Sequence, residues 1–174
     1  GGGDGAYNTV NIFKKGKFFL INKSKKNWIG KIYSNTTLLL GMNPFRHAYK
    51  VMGLAPYTQK ANYLEILNFF LNSLKVKKLD FQINKQVKDK YFYFKKNLNG
   101  FRFDNIAGAL QSFTEIRLKQ WFENVSKRFQ VKNFVFTGGV ANNVKANKFL
   151  SEQKFVNKLW IPPGPGDESL SLGA

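Results

Sequence analysis

Three short clusters in this 174-residue chain combine glycines, amides, a carboxylate and a lysine in patterns that can bind ligands. The first is Thr137-Gly138-Gly139-Val140-Ala141-Asn142-Asn143. Paired glycines let a backbone approach a ligand closely, and a helix starting there offers unpaired N–H groups and a positive dipole end. An amide at Asn143 can hydrogen-bond a ribose hydroxyl or a phosphate oxygen. The same residues also make a tight strand-to-helix turn with a capping Asn, and the pattern alone is balanced between the two readings. The second cluster is Pro162-Pro163-Gly164-Pro165-Gly166-Asp167-Glu168. Prolines and glycines fix a rigid loop past a strand end, where open α/β sheets place their ligands. The Asp167 carboxylate suits a hard or borderline cation, although spacing alone favours a surface turn whose Asp caps the next helix. The third is Tyr49-Lys50-Val51-Met52-Gly53-Leu54-Ala55-Pro56-Tyr57. A buried Lys50 beside the Gly53 turn would hold an anionic group; the other reading is an exposed lysine at a helix start. His47, the sole histidine, has no second His, no Cys and no close carboxylate at ligand spacing, so it reads as structural or exposed.

The elements that must position these clusters follow from periodicity. Residues 6–20 predict a hairpin, with strand formers Val10, Ile12, Phe18 and Leu20 flanking a Lys15-Gly16-Lys17 turn. Residues 28–40 have helical spacing that stops at Gly41, with Pro44 beyond. Residues 60–74 form a clearer amphipathic helix, with Tyr63, Leu67, Phe70, Leu71 and Leu74 on one stripe. Residues 75–100 are rich in Lys and aromatics with weak periodicity, and fit a variable insertion or a pair of short strands. Asp104 reads as the N-cap of a long helix to about Phe129, buried through Ile106, Leu110, Phe113, Leu118, Trp121, Val125 and Phe129. A strand over 134–137 then runs into the glycines, followed by a helix over 140–150, a strand near 158–161 and the proline loop. There is no internal repeat or linker, and the order predicts an α/β fold.

Composition bounds the function classes. Hydrophobic residues at 43% and aromatics at 16% supply a sizeable core and argue against disorder. The absence of cysteine removes disulfides, thiolate metal sites and cysteine nucleophiles, and suits a reducing cytoplasm. No apolar run approaches the roughly 18–20 residues needed to span a bilayer, and no signal peptide is visible. The opening without Met and the closing Leu172-Gly173-Ala174 are expected to be cut ends of a longer chain. The net charge of +18 invites a nucleic-acid reading. However, only Arg46, Arg102, Arg117 and Arg128 among the 28 basic residues are Arg, the residue suited to bidentate phosphate and base contacts. A solvated lysine-rich face is the default, and nucleic acid is not an expected partner.

Taken together, the clusters resemble one family. Lys50-Val51-Met52-Gly53-Leu54-Ala55-Pro56-Tyr57 is similar to the Lys-Val-Met-Gly-Leu-Ala-Pro-Tyr-Gly signature of O-carbamoyltransferases of the nodulation-protein and cephamycin-biosynthesis type. Gly30, Tyr33, Thr36 and Gly41 match an upstream stretch of that family. Gly138-Gly139-Val140-Ala141 with Asn143 and Asn147 resembles its Gly-Gly-Val-Ala-x-Asn-x-x-x-Asn element, and Pro162-Pro163 through Asp167 with Gly173-Ala174 its last element.

The resemblance implies an incomplete ribonuclease-H-like, actin/hexokinase-type core spanning 1–174, with an upstream His-x-x-x-His region and a downstream adenylate-forming domain missing. It implies transfer of a carbamoyl group from carbamoyl-adenylate, made from carbamoyl phosphate and ATP, to a hydroxyl of a small-molecule or sugar acceptor. Carried over by position, Gly138, Gly139, Val140 and Asn143 would contact the adenylate. Gly3 and Asp4 would be the tail of a phosphate loop. Asp167 would ligate a divalent metal of the iron type, and Lys50 and Gly53 would lie near the carbamoyl or acceptor pocket. No residue is identified as the general base. Ala48, Thr58, Trp28 and Ser169 depart from the family pattern, the first two in the acceptor region. The alternatives are a threonylcarbamoyl-tRNA synthesis enzyme of the same fold and a non-catalytic basic nucleic-acid-binding module.

Overall fold

A computed structural model describes residues 5–25 and 29–167, and its architecture is the mixed α/β that the element order predicts. The first hairpin pairs β1 (Asn8–Lys14) with β2 (Lys17–Ser24) antiparallel. Lys15 (φ 50°) and Gly16 (φ 75°) both take left-handed backbone, as a two-residue hairpin turn of matching twist requires. Of its apolar residues Val10 is buried, whereas Phe13, Phe18, Phe19 and Leu20 are exposed. Helix α1 (Ile29–Leu39) follows and stops before Gly41; the predicted start at Trp28 lies outside the described residues. Helix α2 (Ala48–Leu54) leads into a 3-10 turn at Ala55–Tyr57.

The helix expected over 60–74 divides into a 3-10 turn, Lys60–Tyr63, and α3 (Leu64–Ser73). Leu74 is extended instead of helical (φ −140°, ψ 128°), because it is buried as the first residue of β3 (Leu74–Lys77), paired antiparallel with β4 (Asp80–Ile83). This is the pair of short strands that residues 75–100 suggested. The same region adds α4 (Lys90–Leu98), capped by Asp89, whose carboxylate accepts from the Phe92 N–H at 2.9 Å. Helix α5 (Phe103–Phe129) is the spine. Its N-cap position is Arg102 instead of the expected Asp104. Asp104 sits inside the first turn, where its carboxylate favours the helix dipole and receives the Arg102 guanidinium at 2.9 and 3.1 Å. The chain then forms β5 (Asn133–Val135), a 3-10 turn Gly139–Asn142, α6 (Val144–Ser151) and β6 (Lys158–Trp160), with β5 and β6 parallel.

The core gathers on α5. Phe113 stacks on Phe70 of α3 at 5.6 Å, and Phe70 on Phe94 of α4 at 5.7 Å, all three fully buried. Trp121 and Asn124 hold the β3–β4 turn by donating to the Leu79 and Lys78 carbonyls, both at 2.8 Å. Asn22 of β2 reaches the same Leu79 carbonyl at 3.1 Å, which seats the first hairpin. No helix among the described residues is long and apolar enough to cross a membrane.

Gly108 sets how closely α5 meets the segment after α2. A Cβ there would lie 2.5 Å from Thr58 Cγ2 and 2.9 Å from two Tyr63 ring atoms. Thr58 also bonds Asn105, and the Tyr63 hydroxyl bonds Ser112 at 3.0 Å, so neither neighbour moves freely. Thr58, which departs from the family motif, is therefore a packing residue against α5. Gly108→Ala is expected to cost about 1–3 kcal/mol through overpacking. Gly53→Ala, on a helix with open space around the new methyl, should instead be neutral or stabilise by roughly 0.5–1 kcal/mol. Urea unfolding midpoints of the two variants check the contrast.

Candidate nucleotide-binding turn

Strand β5 delivers the glycine cluster beside the proline loop. Past the strand, the Phe136 N–H continues the ladder to the Trp160 carbonyl at 3.0 Å. The Gly138 N–H and the Thr137 hydroxyl then both donate to the Pro165 carbonyl, at 2.6 and 3.0 Å. Two donors of the glycine cluster therefore meet one acceptor of the proline cluster. Gly138 holds φ 97° and ψ 164°, backbone that is essentially closed to residues with a Cβ. Gly139 is exposed, and a Cβ built on it meets nothing within 4 Å. Its N–H and that of Val140 open the 3-10 turn, where no upstream carbonyl of the turn can accept them. Val140 itself packs partly buried against the core.

The helix expected from residue 140 begins at Val144, because Asn143 breaks the run with extended backbone (φ −79°, ψ 90°). Its side chain is the cap: Oδ1 accepts from the Ala146 N–H at 3.0 Å. Asn147, one turn on, returns to the Ala141 carbonyl at 2.7 Å and clamps the 3-10 turn from behind. Asn143 also forms a reciprocal amide pair with Gln111 of α5. Gln111 Nε2 donates to Asn143 Oδ1 at 3.1 Å, and Asn143 Nδ2 donates back to Gln111 Oε1 at 2.9 Å. One Nδ2 hydrogen of Asn143 stays uncommitted among the described residues.

Gln111 is 4% exposed and passes the network to two further groups. It donates to Glu115 Oε1 at 2.8 Å and accepts weakly from the Tyr33 hydroxyl of α1 at 3.5 Å. Burial, and then the Glu115 carboxylate, push the Tyr33 hydroxyl well above its ordinary pKa. Burial likewise raises the pKa of Glu115, opposed by the Gln111 hydrogen bond and the charge of Lys145. Gln111 and Glu115 were absent from the sequence-based site. The available signal was a polar pair spaced i, i+4 on a helix face otherwise filled with Ile, Ala, Leu and Phe.

The remaining residues lie apart. Asp167 is exposed, and its carboxylate has no hydrogen bond among the described residues, although Pro165 two positions earlier is pinned to the glycine turn. No group of three or more His, Cys, Asp or Glu able to hold a metal occurs among the described residues. Lys50 stands exposed in the first turn of α2, with its ammonium 6.0 Å from the Tyr49 ring centroid. It takes the second of the two positions the sequence left open. Gly53 shares its exposed face. His47 precedes α2, and its Nδ1 accepts from the Asn43 N–H at 3.2 Å. Gly3 and Asp4 lie outside the described residues, as do Glu168 and the Gly173-Ala174 end.

All of residues 1–174 match the family described as "Carbamoyltransferase N-terminus". An uncharacterized protein of Methanocaldococcus jannaschii is 31% identical over 182 residues, which cover 100% of this chain and 34% of that protein. An uncharacterized protein of Synechocystis is 30% identical, across 84% of this chain and 26% of its own length. Nodulation protein U of Rhizobium tropici is 28% identical over 74 residues, 41% of this chain and 13% of that protein. The chain thus spans about a third or less of the length of these relatives.

Two outcomes follow from the amide network. Asn143→Ala removes a helix cap, about 1 kcal/mol, and leaves the buried Gln111 amide short of partners, about 1–3 kcal/mol. A loss of about 2–4 kcal/mol in denaturant unfolding is expected. For Glu115, the folded state binds its proton more tightly than the unfolded chain does. Stability linked to this group is therefore full below the ordinary value of 4.5 and declines as pH rises through the raised folded value. Glu115→Gln keeps the acceptor oxygen and drops the charge, so at pH 7 it should unfold at higher denaturant than the parent. The advantage should vanish near pH 4, as a series of melts across pH would show.

Proposed function

This chain belongs to the carbamoyltransferase N-terminus family, and from that premise we propose that it forms the nucleotide-holding part of a carbamoyl-transferring enzyme. In this reading the fold is an incomplete ribonuclease-H-like, actin/hexokinase-type core. The substrate is carbamoyl-adenylate, made from carbamoyl phosphate and ATP, and the acceptor is a hydroxyl of a small molecule or sugar. A chain without cysteine fits a reducing cytoplasm.

The observation that carries the reading is the shared acceptor at Pro165. It fixes the Gly138-Gly139 turn beside the proline loop and leaves Gly139 facing open space. A nucleotide can lie against a backbone that has no side chain there, and the Gly139 and Val140 N–H groups meet its phosphate. Asn143, held by Gln111, offers its remaining amide hydrogen to the same ligand. Gly3 and Asp4 are assigned to the phosphate loop, and Lys50 and Gly53 to the carbamoyl or acceptor pocket.

Carbamoyl-adenylate is a mixed anhydride. The acceptor oxygen attacks the carbamoyl carbon, the bond from that carbon to the phosphate oxygen breaks, and AMP leaves with the electron pair. Backbone N–H donors aimed at the departing phosphate stabilise the charge that builds there. The hydroxyl proton must pass to a base, and no residue of this chain is assigned that role. Asp167 is proposed as one carboxylate ligand of a divalent, iron-type cation. A single exposed carboxylate does not make a metal centre, so no step here runs through one.

Gly139→Val tests the turn. The new side chain enters open space at a residue whose φ is not positive, so the unfolding midpoint should hold. The filled cradle should weaken AMP or ATP binding about tenfold or more in calorimetry. An affinity equal to that of the parent would remove the turn from the nucleotide site.

A further inference from the structure

Arg117 is buried, 8% exposed, in the middle of α5. A guanidinium out of water needs a counter-charge or a full set of acceptors. Arg117 has two neutral ones. It donates to the Leu71 carbonyl near the end of α3, and to Gln120 Oε1 at 2.6 Å. Its Nε–H is buried with no acceptor, and among the described residues no carboxylate pairs with it. Burial lowers its pKa, with no acid to oppose that.

Arg117 borders a hollow of about 430 Å³ between α5, the end of α3 and β3. Lys75 supplies a second cation, and Asn72, Gln120 and Asn124 supply amides. Among the described residues no acidic side chain lines it. We propose that this hollow is an oxyanion site, built for the dianionic phosphate group of a small soluble molecule. Arg117 is the principal contact and Lys75 the second.

The charge count selects phosphate. Two cations without an acid balance one dianion, and a planar fork beside the Asn72 and Gln120 amides matches an anion with several acceptor oxygens. The bond to Leu71 has a structural purpose of its own, since a cation at a helix C-terminus satisfies a free carbonyl. That purpose accounts for one N–H of Arg117. It leaves the buried guanidinium charge without a counter-charge, which an anion held between Arg117 and the exposed Lys75 would supply. A neighbouring hollow beyond Asn124, lined by Lys78, Lys127 and Arg128, is a weaker candidate, because Lys127 is already paired with Glu123 at 2.7 Å. The Arg117 hollow is built from residues other than those of the glycine turn, and the proposal stands whether or not a nucleotide binds there.

The test is an amide-resolved NMR titration of this chain with inorganic phosphate, run against sodium chloride at matched ionic strength and against acetate. Saturable shifts are expected in residues 71–76 and 117–124, with 137–143 unmoved. Lys75→Gln, an exposed strand position, should weaken phosphate binding about tenfold at an unchanged unfolding midpoint. Arg117→Lys should abolish saturation; if that variant fails to fold, the Lys75→Gln comparison decides alone. Equal shifts with chloride, shifts confined to 137–143, or phosphate affinity unaffected by Lys75→Gln would each overturn the site. Acetate binding as tightly as phosphate would overturn its dianion selectivity.

Discussion

A primary amide buried in a helix interface has four hydrogen-bonding positions to satisfy, and the glycine turn is organised around one such group. Gln111 sits on the core side of α5, where unpaired polar atoms are costly. It finds its complement in Asn143, whose own oxygen must also cap α6. Meeting both demands fixes the start of α6 relative to α5. That in turn fixes the short 3-10 turn and the direction in which Gly139 faces. Tyr33 and Glu115 extend the network to α1 and toward Lys145, so three helices meet at one set of polar contacts.

The other side of the turn is held by backbone. Pro165 has no N–H, so its peptide unit cannot join a strand ladder as a donor, but its carbonyl takes two donors from Thr137 and Gly138. A rigid loop thereby ends against a glycine whose φ excludes other residues. Together the amide pair and the Pro165 carbonyl hold a piece of backbone steady while leaving its outer surface bare. A site that binds through main-chain N–H groups needs both properties, because a mobile loop would lose entropy on binding and a side chain would occupy the ligand's place.

Much of the secondary structure was legible in residue order. Lys15-Gly16 forces a tight hairpin because two successive residues must take left-handed backbone. The stripe Ile106, Leu110, Phe113 and Leu118 forces a long buried helix because those side chains lie on one face. Toward its end Phe122, which the stripe did not include, is the buried residue, while Trp121, Val125 and Phe129 are only half-buried. Element ends were less legible. Residues 60–63 are 3-10, and Leu74 leaves its helix for a strand, because cross-strand pairing with Ile83 outweighs the helical preference of Leu. Asp104 has the chemistry of a cap, yet it stands inside the helix, where Arg102 and the dipole satisfy it. The candidate site was legible as motifs and not as contacts. The glycine pair, Asn143 and Asp167 stand out in the chain, whereas Gln111 and Glu115 look like ordinary members of a helix.

The sequence by itself determined the α/β element order, the turn positions that demand glycine and the family motifs, since each depends on residues near one another in the chain. The tertiary structure alone decided that Asn143 is a cap, that Lys50 is exposed, that Pro165 meets Gly138 and that Arg117 is buried without a carboxylate. Burial and hydrogen-bond partnership are properties of the packed chain. A polar side chain bears the same formula on a surface as in a core, and only the surrounding elements set what its charge or amide must meet.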